Sequence, residues 1–314
     1  MADPTTLIEV SGLTRDYGPL RAVDAIDLRL ARGEVLGLLG PNGAGKTSTM
    51  QMLCGTIAPT AGRISINGID LLDEPRRAKQ ALGYLPEDPP LYPDMTVAEY
   101  LAFVAALHGV PRRARADAIR RAVSRCGLEG TETRLVANLS KGYQQRTGIA
   151  QAVLHDPAVV ILDEPTVGLD PIQIREIRAL IAELGREHGV ILSTHILPEV
   201  QATCSRVAIM HLGRIVFSAP MDRIGEAPID RVLVRLGTDP GEAALRALPG
   251  ITDIQGLAGG RYRLHVDPER TSPERIAAGI VEAGWGLAEL SPERRTLEQI
   301  FVEATAGEPA AEAA

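Results

Sequence analysis

Short apolar runs, set apart by glycine, proline and polar clusters, recur through roughly the first two-thirds of the chain. Residues 7–10 and 26–30 read as strands, and residues 64–66 followed by Asn67-Gly68 read as a strand and its turn. Val35, Leu36, Leu38 and Leu39 form an apolar run with strand character, and residues 48–53 read as a helix closed by Gly55. Pro86, Pro89, Pro90 and Pro93 then make residues 84–94 an irregular, stiff loop. From Thr96 to Val153 the period turns helical: Tyr100, Leu101, Val104 and Leu107 fall on one face, and Ile119, Ala122, Val123 and Cys126 on another.

Residues 159–162 form a continuous apolar run, as a strand covered on both faces requires. A helix at 172–184 and a further apolar run at 190–192 follow, and residues 207–210 and 214–218 read as a hairpin around Leu212-Gly213. This alternation predicts an α/β domain with a mostly parallel sheet. Near residues 226–228 the character changes. Strand 232–236, helix 241–248, strands 251–256 and 261–266, helix 273–283 and strand 287–290 make a βαββαβ order, which predicts a small α+β ferredoxin-like domain. A short helix at 297–305 completes it. The expected division is 5–225 for the first domain, 229–306 for the second and 307–314 for a frayed tail.

The most specific chemistry sits directly after the strand at 35–39. Gly40, Pro41, Asn42, Gly43, Ala44, Gly45, Lys46 and Thr47 fit the pattern glycine, four residues, Gly-Lys-Thr, and Ser48 opens the helix. The glycines let the backbone curl so that several N–H groups point at one anion, and the helix N-terminus adds a favourable dipole. Lys46 would neutralise the β- and γ-phosphates of a nucleotide, and the Thr47 hydroxyl would ligate Mg²⁺. Composition sharpens this reading. Of 33 basic residues only Lys46, Lys79 and Lys141 are lysine, so arginine serves nearly everywhere that charge alone suffices. A compact ammonium persists at position 46, inside a ring of amides that a planar guanidinium would not fit.

Two further segments narrow the class. The apolar strand 159–162 ends in Asp163 and Glu164, placed to hold Mg²⁺ and to activate an attacking water respectively. Leu139-Ser140-Lys141-Gly142-Tyr143-Gln144-Gln145-Arg146 puts Ser140 at a helix N-cap with Gly142 in the first turn, a second anion site at a helix N-terminus. A P-loop kinase has no use for one.

With these segments in this order the chain resembles the ATP-binding cassette (ABC) family, whose LSGGQ signature is offered by one subunit to ATP held by another. The resemblance covers roughly residues 5–225. It implies a P-loop ABC ATPase fold with a mostly parallel sheet, an antiparallel β edge and a helical subdomain. It also implies an adenine-stacking role for Tyr17, a D-loop at 167–170 in which Asp170 couples two sites, and a switch role for His195 against the γ-phosphate. ATP and Mg²⁺ are the implied ligands. Within the family the chain looks like ATPase subunits of export-type transporters, including multidrug and gliding-motility-associated ones. The Gly-Tyr-Leu-Pro-Glu stretch at 83–87 and Thr194-His195-Ile196-Leu197 carry that narrower likeness. Partners implied are a separate transmembrane permease and a second ATPase subunit, identical or homologous, at the inner face of the cell membrane.

Two departures from the family pattern stand out. The position usually held by glutamine is Glu87, which can still face Mg²⁺ but adds negative charge near Asp163 and Glu164. The signature carries Lys141 and Tyr143, and Lys141 is expected to add positive charge toward the partner-bound ATP.

Bulk numbers exclude more than they assign. The 314 residues suffice for two domains and a substantial core. A net charge of −7 argues against broad nucleic-acid binding, and Arg112, Arg113, Arg115, Arg120, Arg121 and Arg125 read as a solvated helix face. Cys54, Cys126 and Cys204 show no paired spacing, so neither a disulfide framework nor a zinc site is suggested. The N-terminus lacks the regions of a signal peptide, and no apolar run approaches the length of a membrane span. A soluble mechanoenzyme of the same superfamily acting on ribosomes or DNA is a second reading, disfavoured by a single cassette and the absence of a heptad run. An ATP-switched regulatory module, with the second domain as ligand sensor, is a third. His265 and Trp285 in that domain read as packing residues.

Overall fold

A computed structural model describes residues 6–225, 230–293 and 296–306. The described chain opens with two long antiparallel strands, β1 (Thr6–Tyr17) and β2 (Leu20–Ala31), then enters the core at β3 (Val35–Leu39) and α1 (Lys46–Leu53). After β4 (Ala61–Ile66), β5 (Ile69–Asp70) and α2 (Pro75–Gln80), β6 (Leu82–Leu85) returns to the core. Three helices follow, α3 (Val97–Leu107), α4 (Arg112–Arg125) and α5 (Lys141–Val153). Then come β7 (Val159–Asp163), α6 (Pro171–Glu187), β8 (Gly189–Thr194), α7 (Leu197–Thr203) and the hairpin of β9 (Arg206–His211) and β10 (Arg214–Pro220).

Six of these strands form one sheet in the order β10-β9-β3-β8-β7-β6. All neighbours in it run parallel except β10, which pairs antiparallel at the edge. β3, β7 and β8 are buried at every position, which explains their unbroken apolar sequences. A second, antiparallel sheet has the order β2-β1-β4-β5. α1 joins the two: Met50, Met52 and Leu53 share one core with Leu28 and Leu30 of β2 and with Ile161 and Ile191 of the parallel sheet. The phosphate-loop helix is thereby anchored by apolar burial on both sides.

α3 starts with a reciprocal cap, in which Thr96 accepts from the Glu99 amide and Glu99 accepts from the Thr96 amide. Tyr100, Leu101 and Val104 are buried as the period predicts, but Leu107 is 69% exposed because the helix ends at His108, past the reach of its neighbours. His108 stacks on His155, ring centroids 3.7 Å apart, tying the end of α3 to the loop before β7. Tyr84 and Leu85 belong to β6 rather than to the proline-rich loop, since their register with Ile161 and Leu162 extends the sheet up to Pro86. β1 and β2 are longer than the apolar runs suggest; bulges along β1 interrupt the alternation without ending the pairing.

The chain divides into two compact units, the second being Asp222–Glu303. This boundary precedes the change of character expected near residues 226–228, which lie outside the described residues, as does the expected tail at 307–314. The second unit contains β11 (Arg231–Leu236), α8 (Glu242–Arg246), β12 (Ile251–Leu257), β13 (Arg261–Val266), α9 (Pro273–Glu282) and β14 (Leu287–Glu293). Its antiparallel sheet has the order β12-β13-β11-β14, with the first and third strands of the unit at the centre. That is the split arrangement of a ferredoxin-like fold. Leu245 of α8 and Ile276 and Ile280 of α9 cover one face, packed on Val232, Val234 and Leu264. Trp285 packs against the same core. A final helix, α10 (Leu297–Thr305), is opened by Thr296 and Gln299, each accepting from the other's backbone amide.

Candidate functional site

The site lies where β3, β8 and β7, neighbours in the parallel sheet, reach their C-terminal ends, the edge at which ligands of open α/β sheets are held. Leu39 is level with Thr194, and Asp163 with Ser193, so the loops after all three strands emerge side by side.

After β3 the backbone turns sharply into α1. Gly45 has φ 101°, and a Cβ there would stand 2.3 Å from the Ala22 carbonyl oxygen, so only glycine fits. At Gly40 a Cβ would meet the Met210 carbonyl oxygen at 2.4 Å. α1 begins at Lys46, two residues earlier than the apolar pattern suggests, because the helix is nucleated by the loop geometry and not by a side-chain cap. Lys46 is almost wholly buried, and its Nζ donates to the carbonyls of Gly40 at 2.8 Å and Pro41 at 3.2 Å. Burial lowers its pKa, opposed by the carboxylates of Glu164, Asp163 and Glu87.

A cavity of about 540 Å³ opens over this loop, lined by Asn42, Gly43, Gly45, Lys46, Thr47 and Ser48 on one side. Glu87, Glu164, Val167 and His195 line the other, with Tyr17, Leu20 and Ala22 at a third edge. Leu20 and Ala22 were not legible as site residues; only the pairing of β2 with β1 beside Tyr17 brings them there. The Ser48 hydroxyl lowers the Tyr17 phenol against the effect of burial, and the Arg15 guanidinium lies 4.6 Å from the Tyr17 ring centroid.

Glu164 occupies the left-handed region at φ 48°, uncommon for a residue with a side chain. Its amide donates to the Ser193 carbonyl at 3.0 Å, which turns the carboxylate back into the cavity. There it meets His195, whose Nδ1 lies 3.0 Å from both carboxylate oxygens, and Lys46 Nζ, 3.8 Å from Oε1. Asp163 is 1% exposed, and among the described residues neither of its oxygens completes a hydrogen bond, although the Ser193 hydroxyl lies beside the carboxylate. Burial raises its pKa; Glu164 and Glu87 add to this, while the Ser193 hydroxyl and Lys46 oppose it. Glu87 is exposed at the cavity mouth.

Gly40, Pro41, Ala44 and Asp163 lie behind the cavity wall, and the candidates of the α5 and α6 N-termini do not line it within one chain. Ser140 is exposed at the N-cap of α5 and makes no capping bond with its side chain. Gly142 is buried in the first turn, where a Cβ would stand 2.6 Å from the Gln173 side chain. Asp170 caps α6, accepting from the amides of Ile172 and Gln173 at 2.9 Å each. The Lys141 side chain runs over Gly168 of its own chain, where a Cβ would lie 2.5 Å from Nζ. A larger cavity of about 670 Å³ beside α4 and α6 has no phosphate-binding loop, and its Arg125 is paired with Glu183 and Glu187.

A phosphate loop, a buried carboxylate pair and a histidine at adjoining strand ends define a P-loop nucleoside triphosphatase. Residues 23–167 match the family model described as ABC transporter. The chain is 38% identical over 222 residues to the bacitracin transport ATP-binding protein BcrA of Bacillus licheniformis, covering 70% of this chain and 72% of that one. It is 32% identical to Nod factor export ATP-binding protein I of Rhizobium etli over 96% of this chain and 94% of that one. A solved structure titled as an ATP binding subunit of an ABC transporter superposes with TM-score 0.65 and 33% identity, covering 70% of this chain and 92% of that one. The dimeric cassette MJ0796 bound to ADP and Pi shares the fold, with TM-score 0.62 over 68% of this chain and 99% of that one. The chain therefore belongs to the ATP-binding subunits of ABC transporters, and it is an ATPase.

Proposed function

We propose that this subunit dimerises around two Mg·ATP and drives export through a separate membrane permease. The observation that carries the reading is the separation, within one chain, of the signature residues Ser140 and Gly142 from the cavity that Lys46, Glu164 and His195 line. A second copy would supply the missing helix N-terminus to the γ-phosphate, so binding favours the closed pair and hydrolysis releases it. The name of the Nod factor export relative supports export as the direction.

In this reading the amides of the 40–48 loop and Lys46 hold the phosphates. Glu164 orients and deprotonates the attacking water, and His195, held by Glu164, contacts the γ-phosphate. Tyr17 presents an exposed ring at the cavity edge for the adenine, and Asp170 fixes the turn that would meet the partner. The residues present fit Mg²⁺: the two buried, unpartnered oxygens of Asp163 and the Thr47 hydroxyl are hard oxygen donors, with Glu87 at the mouth. When bound, the ion supplies neutralisation of the developing phosphate charge.

No described helix is long and apolar enough to cross a membrane. In this reading the permease would hold the subunit at the cytoplasmic face of the membrane. Loop 86–94 is the proposed contact, supported by the exposed Tyr92, which meets Phe103 edge-on at 5.5 Å. Residues 229–306 are read as a separate appended domain.

Sedimentation with ATP tests the dimer. In a hydrolysis-blocked variant, ATP should convert monomer to dimer, and turnover by the wild type should rise faster than linearly with protein concentration. A monomer that turns over at full rate at every dilution overturns it.

A further inference from the structure

Glu199 is a carboxylate 1% exposed, outside every motif by which the site was recognised. It sits on α7 and accepts two hydroxyl hydrogen bonds. Thr166 donates to Oε1, and Thr194 donates to Oε2 at 2.7 Å. Both threonines are buried, at 3% and 0% exposure. Arg178 of α6 approaches the same carboxylate at 4.0 Å. The Thr194 hydroxyl also accepts from the Ile196 amide at 3.1 Å, which folds the chain back immediately after His195.

The positions of the two threonines give the arrangement its meaning. Thr166 lies two residues after Glu164, in the turn that leaves β7 in the left-handed conformation. Thr194 ends β8 and directly precedes His195. One carboxylate thus fastens the turn carrying Glu164 to the strand end carrying His195. A buried carboxylate of this kind is costly unless its oxygens are satisfied, and here each oxygen takes one hydroxyl.

We propose that Glu199 is a positioning residue for ATP hydrolysis, setting the distance between Glu164 and His195 through Thr166 and Thr194. It does not line the cavity over the phosphate loop. Its effect falls on the geometry at the γ-phosphate and not on the loop that binds the phosphates. The inference rests on the proposed roles of Glu164 and His195.

Steady-state ATPase kinetics of Glu199→Ala, Glu199→Gln and Thr166→Val test it, beside His195→Ala and the double variant His195→Ala/Glu199→Ala. Displacing a reacting group by about 1 Å costs on the order of a hundredfold. Glu199→Ala should therefore lower kcat about tenfold to a hundredfold while KM for ATP stays within about twofold. Glu199→Gln keeps an acceptor for one hydroxyl and a donor for the other, and should retain most of the activity. Thr166→Val removes one hydroxyl at nearly constant shape and should lower kcat about fivefold to tenfold; it carries the test if Glu199→Ala does not fold.

In the His195→Ala background the loss caused by Glu199→Ala should shrink to under about twofold, since there is no longer a pair to align. A folded Thr166→Val enzyme with unchanged kcat, or an equal fold-loss from Glu199→Ala in both backgrounds, overturns the inference. Full activity of His195→Ala itself would instead overturn the catalytic reading beneath it, so the two failures are told apart.

Discussion

The imidazole Nδ1 of His195 stands 3.0 Å from each oxygen of Glu164, although 31 positions separate the two residues in the chain. The contact holds the Glu164 carboxylate in a fixed orientation between the histidine and the Lys46 ammonium, 3.8 Å away. In the proposed mechanism a water entering between Glu164 and a γ-phosphate would meet a base already aimed.

Glu164→Gln keeps the size and the contact but removes the base. Turnover should fall by about 10²–10⁴, the range of general-base catalysis. ATP binding should persist, and the ATP-bound dimer should accumulate. Nucleotide retention on a sizing column checks this, and full activity would remove Glu164 from the mechanism.

Lys46→Arg preserves charge but not fit. The ammonium is buried and donates to the Gly40 and Pro41 carbonyls, a ring too tight for a guanidinium. ATP affinity should drop tenfold to a hundredfold, about 1.4–2.7 kcal/mol, measured by calorimetry. Unaltered affinity would show that charge alone suffices there.

Gly142→Asp strikes the proposed subunit interface and not the cavity. A side chain there runs into Gln173 and loosens the start of α5 against α6. ATP binding to the isolated chain should remain within about threefold, while dimerisation and turnover fall more than about tenfold. Equal loss of both would place the signature in cis.

Acid should weaken the fold through His155. Burial pushes its pKa down to about 4 from an ordinary 6.5, with His108 adding to the effect. The unfolded chain therefore binds the proton first, so the contribution is complete above pH 6.5 and is lost as pH falls toward 4. Its size is on the order of 3 kcal/mol. Urea titrations of the wild type should show this decline, and His155→Gln should flatten it.

The parts of the site legible in the sequence are those built by contiguous residues. The phosphate loop needs glycines where the backbone closes on its neighbours, and Gly45 shows why, with φ 101° and a carbonyl 2.3 Å from any Cβ. The strand ending in Asp163 and Glu164 announced itself because full burial permits only apolar residues until the edge. In the second unit, turn chemistry and alternation sufficed to list the strands in order. The exposure of Leu107 and the end of β6 are not legible in the pattern, because each depends on what lies beside the element: the first on the helix ending there, the second on the register with β7.

The chemistry present is legible in short runs of the chain: a phosphate cradle, an acidic strand end, a histidine and a second helix N-terminus. Each is written in a few adjoining residues whose backbone conformation is local. Which of these meet depends on long-range folding. Pairing of β3 with β8 and of β8 with β7 brings Lys46, Glu164 and His195 together, leaves Ser140 and Gly142 elsewhere, and buries Glu199 beneath the pair. Strand order is set by long-range burial of apolar faces, a choice that no short segment encodes alone.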